Sequence, residues 1–280
     1  MTFAQTRACH GVLLLAKKWG NTMEQLNHAI ESDAFCGERA GRLELAAVQS
    51  PSKRESMPFT IRIVSAEEEL LKVVEMRRKA YGRHLPEFAE KMGIEECDRD
   101  RGTAILLAES KLDGAPLGTM RIQTNEYTPL GVQHSVRLPQ WLDSGRLAEA
   151  TRLGVAGGGV GRVVKMMLFK ALFLYCEQQQ IDWMVITARS PLDREYEAML
   201  FEDVFGDGQF IPMAHVGNLP HRVLAGEVGV ARRRWEEAKH PLYEFVFKTH
   251  HPDIDLRPAD LSFGRETVGC PVVPQVIYGR

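Results

Sequence analysis

Hydrophobic and polar residues alternate from Phe59 to Val64, a pattern that predicts a half-buried β-strand. Ser65 follows at an N-cap position, with Glu68 three residues later, so a helix is predicted to begin here. The apolar residues of that helix recur at helical spacing: Leu70, Leu71, Val74 and Ala80.

Strands and helices alternate along the rest of the chain. Asp113-Gly114 lies between two apolar runs and predicts a hairpin turn. The run 181–188 is almost entirely apolar, which is typical of a central strand. Helices combined with a mixed sheet predict an α/β or α+β fold. The further predicted strands are 102–108, 117–124, 147–155, 181–188, 210–216 and 222–228, and the further predicted helices are 86–93, 161–179, 192–205, 231–238 and 242–248.

The two ends of the chain lack this regular pattern. The polar stretch 49–56 contains Pro and Ser residues and is typical of a linker. We therefore assign residues 1–58 as an N-terminal extension and 59–255 as one folded domain. Residues 256–280, which are rich in proline, are predicted to form an irregular C-terminal tail.

Composition narrows the class of protein. The 280 residues carry 35 Lys plus Arg against 37 Asp plus Glu, a balance that argues against a nucleic-acid-coating protein. No segment is long and apolar enough to predict an integral membrane span. Five dispersed cysteines predict reduced thiols and a cytoplasmic location. The histidines form no metal-ligand motif, so no metal is expected. The G-x-S-x-G motif of serine hydrolases does not occur, which argues against that class of enzyme.

The segment from Glu149 to Gly161 carries the clearest chemical signal. It predicts a strand that passes through a glycine-rich turn into a helix, where backbone N–H groups and the helix N-terminus attract negative charge. We expect the strand to open near Gly154, at a β-bulge. Simple alternation would place Glu149, Thr151 and Leu153 on one face of the strand and Ala150 and Arg152 on the other.

Two series of short motifs follow one another along the chain. The first four are Arg78-Lys79-Ala80-Tyr81, Asp98-Arg99-Asp100, Gly118-Thr119-Met120-Arg121 and Glu149-Ala150-Thr151-Arg152; the later four are residues 218–224, 233–235, 240–243 and 249–254. The first series resembles the acyl-homoserine-lactone (autoinducer) synthases. The later series resembles the long-chain N-acyl amino acid synthases of the FeeM type, and together the resemblance covers about residues 59–255.

This resemblance implies a GNAT-like acyltransferase fold, with a central mixed twisted sheet, one splayed strand and helices on both faces. It implies transfer of a fatty acyl group from the phosphopantetheine of acyl carrier protein to an amino acid or similar small amine. The implied catalytic residues are Glu149 as the base and Arg152, Leu153 and Val155, whose backbone N–H groups would bind the oxyanion. Acceptor-binding residues would be Arg78, Tyr81, Asp98, Asp100 and Arg121.

The donor phosphate is expected on the glycine turn of Gly157, Gly158, Gly159 and Gly161. Arg162 and Lys165, one helical turn apart, would face the acidic carrier protein. CoA-using relatives carry a basic residue where this chain has Ala156, so a CoA thioester is the less favoured donor. Residues 166–173 and 183–185 are rich in Met and aromatic side chains and are either an acyl tunnel or ordinary core.

Several alternatives remain open on the sequence alone. The charged residues could form a structural salt-bridge network, for instance Arg152 with Asp98 or Asp100. Autoinducer synthesis, acetyl-CoA-dependent N-acetylation and a non-catalytic sensor of acyl chains or carrier protein are the competing functions.

Overall fold

The structure is a computed structural model that describes residues 53–257. Residues 1–52 of the predicted extension and 258–280 of the predicted tail lie outside the described residues. The strands are β1 (Lys53–Arg54), β2 (Phe59–Ile63), β3 (Thr103–Ser110), β4 (Pro116–Thr124), β5 (Leu147–Val155), β6 (Trp183–Ala188), β7 (Glu202–Asp203), β8 (Ile211–Met213), β9 (Leu219–Glu227), β10 (Thr249–His250) and β11 (Ile254–Asp255). The α-helices are α1 (Glu67–Tyr81), α2 (Pro86–Glu90), α3 (Gln140–Asp143), α4 (Gly158–Gln178), α5 (Leu192–Ala198) and α6 (Val228–Glu237). Tighter turns of 3-10 helix occur at Glu96–Arg99, Gly131–His134 and Ala214–Val216, and Glu244–Lys248 is π-helical.

One mixed sheet organises these elements, in the strand order β11-β2-β3-β4-β5-β6-β9-β7, with β8 beside β9. The pairs from β2 to β5 are antiparallel, β5 and β6 are parallel, and β6 and β9 are antiparallel. Along β3, Leu106 lies in the large core that α4 covers, while Ile105 and Leu107 pack with Leu70 and Val73 of α1. Helices therefore cover both faces, and the predicted α+β fold with a mixed sheet is confirmed.

The parallel strands β5 and β6 separate halfway along their length. They pair from Leu147 to Ala150, opposite Trp183 to Ile186, and the last two residues of β6 pair only with β9. Within residues 53–257, no strand covers the edge of β5 from Thr151 to Val155 that faces β6. The predicted splayed strand is confirmed, and the backbone there is open to a ligand.

A β-bulge lies at the same place. Thr119 pairs with Gly154 and Arg121 pairs with Thr151, so β5 has one residue more than β4 between these pairs. Arg152 takes up the extra residue with a left-handed backbone, at φ 52°. The predicted bulge is therefore confirmed, two residues before Gly154.

The bulge changes which face each β5 side chain occupies. Thr151 and Arg152 both bond to groups on the α1 side of the sheet, whereas Leu153 packs against the core on the α4 side. The predicted alternation, with Leu153 beside Glu149 and Arg152 opposite, is wrong for this reason. Glu149, Thr151 and Arg152 share one face.

Some predicted boundaries also differ from the structure. The carboxylate that caps α1 belongs to Glu69 and accepts from the N–H groups of Ser65 and Ala66 at 2.8 and 3.2 Å, in place of Glu68. Helix α4 begins at Gly158, so the predicted glycine loop forms its first turn. The predicted helix 192–205 ends at Ala198, because Glu202 and Asp203 pair with β9. The predicted strand 210–216 gives only β8 and a 3-10 turn, and the predicted helix 242–248 is largely π-helical.

Candidate functional site

Glu149 lies fully buried on β5, where β5 still pairs with β6. Its Oε2 accepts a hydrogen bond from the N–H of Val132 at 3.0 Å, in the turn Gly131–His134. Among residues 53–257, its Oε1 has no hydrogen-bond partner. Burial raises the pKa of Glu149 to about 7, against the opposing effects of the Val132 N–H and Arg121. A carboxyl group with this pKa takes up and releases a proton near neutral pH.

His215 lies beside Glu149 and was not assigned a role from the sequence. Its Nε2 is 3.6 Å from Glu149 Oε1 and 3.5 Å from Thr187 Oγ1, and no group in the described part of the chain bonds to its Nδ1. Burial, together with the positive charge of Arg152, lowers the pKa of His215 to about 3. The imidazole is therefore neutral at pH 7. His215 could not be found from the sequence, because only the folded structure brings the turn Ala214–Val216 over β5 and next to Glu149.

Arg152 is held by a carboxylate that the sequence motifs did not single out. Its Nη2 is 2.7 Å from Glu95 Oε1 and 3.3 Å from the carbonyl oxygen of His215. Burial alone would raise the pKa of Glu95, but the guanidinium groups of Arg121 and Arg152 lower it to about 2. Arg152 therefore forms a structural ion pair, as one alternative from the sequence held, and its partner at this distance is Glu95.

Arg121 and Asp98 belong to the same buried ion network. Arg121 Nε donates to Thr151 Oγ1 at 3.1 Å, and its Nη1 contacts Glu95 and lies 3.2 Å from Asp98 Oδ1. Asp98 also accepts two hydrogen bonds from the fully buried Arg77, at 2.7 and 2.9 Å. This geometry matches the structural salt-bridge alternative for Asp98 and Arg121. Asp100 is buried just before β3, and its carbonyl accepts from Thr103 N–H.

Arg78 and Tyr81 occupy the last turn of α1. Arg78 is exposed, and its Nε donates to the carbonyl of Met92 at 2.7 Å. The Tyr81 ring packs on Phe88, and the Phe88 ring lies 5.8 Å from the Arg152 guanidinium. Tyr81 therefore reaches the buried network through Phe88, whereas Arg78 fixes the loop after α2.

The glycine turn leads directly into α4, a helix of 21 residues. Gly158 has a left-handed backbone, at φ 75°, and a Cβ on Gly161 would lie 1.7 Å from the carbonyl oxygen of Ala156. These two positions accept only glycine without rearrangement. Gly157 to Val160 are exposed, so the helix N-terminus is open to an anion.

Two basic side chains, Arg83 and Arg162, lie beside this turn, and Lys165 follows on the next turn of α4. Arg83 Nη2 donates to the carbonyl of Val155 at 2.6 Å, next to Gly157. Arg162 is exposed on the first turn of α4. Lys165 is half-buried and lies 2.5 Å from Glu195, so of the predicted pair Arg162 is the more accessible cation.

An apolar cavity of about 60 Å³ lies on the α4 face of the sheet. It is lined mainly by methionine and aromatic side chains from α4, β6, α6 and the π-helical segment. Members predicted from the sequence are Met166, Phe169, Leu172, Phe173 and Met184, and the structure adds Met199, Phe201, Trp235, Phe245 and Phe247. Two of the strand residues that line it, Met184 of β6 and Gly226 of β9, pair with each other, and Met184 also pairs with Ala148 of β5. The cavity therefore lies beside the half of β6 that is still paired with β5.

In the part of the chain that the structure describes, no helix is long and apolar enough to cross a membrane. Over the same residues, no group of three or more His, Cys, Asp or Glu side chains is placed to hold a metal ion. Cys97 and Cys176 are buried, and neither forms a disulfide within residues 53–257.

Comparison with known proteins gives one family match. The model of the family "N-acyl amino acid synthase FeeM" matches residues 72–219, more than half of the chain. No curated protein matches the sequence.

Among solved structures, FeeM from uncultured soil microbes, an N-acyl amino acid synthase, superposes with a TM-score of 0.50 at 17% identity, over 65% of this chain and 96% of that one. A probable acetyltransferase from Staphylococcus epidermidis matches with a TM-score of 0.44 at 16% identity, over 60% of this chain and 98% of that one. A spermidine/spermine N-acetyltransferase from Vibrio cholerae has a TM-score of 0.41 at 12% identity, over 63% and 96% of the two chains.

Proposed function

Because this chain belongs to the FeeM family of N-acyl amino acid synthases, and is an acyltransferase of that type, we propose that it transfers a long-chain fatty acyl group from acyl carrier protein to the amino group of an amino acid or similar small amine. The observation that carries the proposal is the opened edge of β5 beside the buried carboxyl group of Glu149, whose Oε1 has no hydrogen-bond partner among residues 53–257. A thioester placed there has its carbonyl beside backbone that no strand covers.

The reaction requires three events. The amine nitrogen attacks the thioester carbonyl, the oxygen gains negative charge, and the thiolate leaves as the amide forms. Backbone N–H groups of the segment 152–155 would stabilise the oxyanion, and a donor in such a position contributes about 3–4 kcal/mol. Glu149 would take the proton from the attacking amine and pass it to the departing thiolate, so that the proton balance closes.

The pKa of Glu149, about 7, supports this assignment. A carboxyl group with an ordinary pKa near 4 is a weak base at neutral pH, whereas one near 7 is ionised in part and accepts a proton readily. Arg152 and Arg121 lie beside it and favour its ionised form. Both guanidinium groups form ion pairs with Glu95, which holds them in place.

The apolar cavity supports an acyl chain as the transferred group. Its present volume of about 60 Å³ is small beside a long acyl chain, so binding requires lining side chains to move apart. Methionine side chains suit such a movement, because they are unbranched and rotate about three bonds. Met166, Met184 and Met199 all line the cavity.

The N-terminus of α4 supports a phosphopantetheine donor. Its exposed N–H groups suit a single phosphodiester, and Arg83 and Arg162 supply positive charge nearby. Ala156 stands where CoA-using relatives carry a basic residue, which favours the carrier protein over CoA as donor.

Purified protein incubated with palmitoyl-acyl carrier protein and a pool of amino acids tests the proposal. We expect an N-acyl amino acid, detected by mass spectrometry, and a slower reaction with palmitoyl-CoA. Tight retention of the lipid without any amide product would favour a sensor and contradict the proposal. An acylated lactone from S-adenosylmethionine would identify an autoinducer synthase.

A further inference from the structure

His215 makes a close and incomplete set of contacts that the proposed chemistry has not yet used. Its ring is 5% exposed, and it lies on a turn that the strand β8 carries over the α1 face of β5. Nε2 faces Glu149 Oε1 at 3.6 Å. Within residues 53–257, neither Nδ1 of His215 nor Oε1 of Glu149 has a hydrogen-bond partner. Two buried residues, each with one unsatisfied polar atom, therefore lie side by side.

We propose that His215 is a positioning residue for the proton transfer: its neutral imidazole donates Nε2–H to Glu149 Oε1 and so controls whether Glu149 is ionised. A separation of 3.6 Å is slightly longer than a hydrogen bond, and a shift of a few tenths of an ångström in either side chain closes it. This inference deepens the proposed function and rests on Glu149 as the base.

The tautomer follows from the surroundings of the ring. Nε2 faces the oxygen atoms of Glu149 and Thr187, so a hydrogen on Nε2 has acceptors within reach. A hydrogen on Nδ1 would be a buried donor without an acceptor, which is more costly than a buried nitrogen lone pair. The Nε2–H form is therefore favoured, and it leaves Nδ1 as an acceptor.

The charges around the ring keep it neutral. Burial and the neighbouring positive guanidinium of Arg152 both disfavour the imidazolium, and Arg152 Nη2 also holds the backbone carbonyl of His215. Near neutral pH the group that gains and loses a proton is therefore Glu149, while the imidazole of His215 stays neutral and acts as a hydrogen-bond donor. The titratable and charged groups that face His215 are Glu149 and Arg152 on β5, Arg121 on β4, His221 on β9 and His134 in the turn Gly131–His134.

A hydrogen bond to the ionised form of a carboxyl group lowers its pKa. Without His215, the Glu149 carboxyl would keep its burial but lose this donor. We therefore expect His215→Leu to move the acid limb of the kcat profile upward by about one pH unit. His215→Gln places an amide N–H at the reach of Nε2 and should return the limb towards its original position. Both variants should leave KM for the donor within about two-fold, since the acyl chain and phosphate bind elsewhere.

NMR of ¹⁵N-histidine-labelled protein gives a readout that does not depend on turnover. The nine histidines are resolved by long-range ¹H–¹⁵N spectra, and His215→Gln assigns the signal of His215. We expect a neutral Nε2–H ring between about pH 5 and 8, with shifts that follow a titration near pH 7 and lose that titration in Glu149→Gln.

The two readouts separate the possible failures. An Nδ1–H tautomer, a cationic ring at pH 7, or shifts unchanged in Glu149→Gln would overturn the role of His215 whatever the reaction is. A correct NMR titration without acyl transfer would refute the proposed function and leave the pair intact. An unchanged acid limb in His215→Leu, in a variant that melts cooperatively, would overturn control of Glu149 by His215.

Discussion

The two faces of the sheet at β5 differ in how their side chains are held. On the α1 face, Arg121 and Arg152 share the carboxylate of Glu95, and the side chains are fixed by ion pairs at 2.7–3.2 Å. On the α4 face, methionine and aromatic side chains surround most of a small cavity, and polar groups in its wall bond to backbone carbonyls, as Lys170 does to Phe245 and Trp235 to Met199. Reacting groups need fixed positions, because small displacements lower the rate of reaction. A cavity for an acyl chain instead needs side chains that can change conformation.

Rigidity on the polar face depends on complete charge pairing. Arg77 and Asp98 are both almost inaccessible to solvent and form an ion pair at 2.7 Å. Burial alone would raise the pKa of Asp98, but the guanidinium of Arg77 holds it below its usual value. The comparison of the two faces therefore gives different expectations for charge-removing and size-changing substitutions.

The largest effect is expected for Asp98→Asn. It leaves Arg77 buried without its counter-charge, and breaking a buried pair in this way costs about 3–5 kcal/mol of unfolding free energy. Asp255→Asn is the matched control, because it removes the partner of Arg257 in an exposed pair. Urea denaturation measures both, and an equal small loss in the two variants would show that the buried network does not carry the stability assigned to it.

Glu149→Gln should lower turnover at least about ten-fold, because it removes the proposed base while keeping the shape of the side chain. The control is Glu109→Gln, a nearly buried acid on β3 that pairs with Arg62 and Lys72 away from the opened edge. Turnover of that variant should stay close to the original value. Equal rates for Glu149→Gln and the unmodified protein would assign proton transfer to another group.

The same variant tests the environment of Glu149 without substrate. Its folded pKa of about 7 lies above the unfolded value of 4.5, so the folded protein binds the proton more tightly. Its contribution to stability is full below pH 4.5 and is lost as the pH rises through 7. Glu149→Gln should remove that decline from a plot of unfolding free energy against pH, and an unchanged slope would place the pKa elsewhere.

On the apolar face, Ala231→Leu should change selectivity more than stability. Ala231 lines the cavity from α6, so three added carbon atoms occupy space that a long acyl chain would use. We expect the rate ratio of palmitoyl to octanoyl donor to fall several-fold, since each displaced CH₂ contact is worth about 0.8 kcal/mol. Ala238→Leu, at the exposed end of α6, is the matched control and should leave the ratio unchanged. If the rates with palmitoyl and octanoyl donor fall equally, the substitution has caused a folding defect and has not shortened the cavity.

The sequence predicts the backbone of this molecule better than its site. Alternation at Phe59 to Val64 and the apolar run 181–188 depend on local periodicity, so β2 and β6 are found where they are predicted. The end of α5 at Ala198 depends on pairing of β7 with β9, which local propensity does not encode.

Within the site, the motif residue Glu149 is predictable, whereas Glu95 and His215 are not. Glu95 precedes the D-x-D motif and His215 precedes the later motifs, so neither carries a spacing signal of its own. They reach Arg152 because the bulge turns that side chain to the α1 face and because β8 folds back over β5. A phase change of one residue therefore decides which partner a buried arginine meets.

The smallest effect is expected for Arg162→Glu at the exposed start of α4, where neither face of β5 is disturbed. If an acidic carrier protein docks there, the donor KM should rise about two- to five-fold at low salt, as expected for one rim charge. The donor KM of the variant should also depend less on salt than that of the unmodified protein, because one of the attractions that salt screens has been removed. Arg233→Glu, on α6 beside Glu237, is the control for a general change in net charge. If both variants raise the donor KM equally, the carrier protein does not dock at the N-terminus of α4, and the opened edge of β5 receives its thioester from another direction.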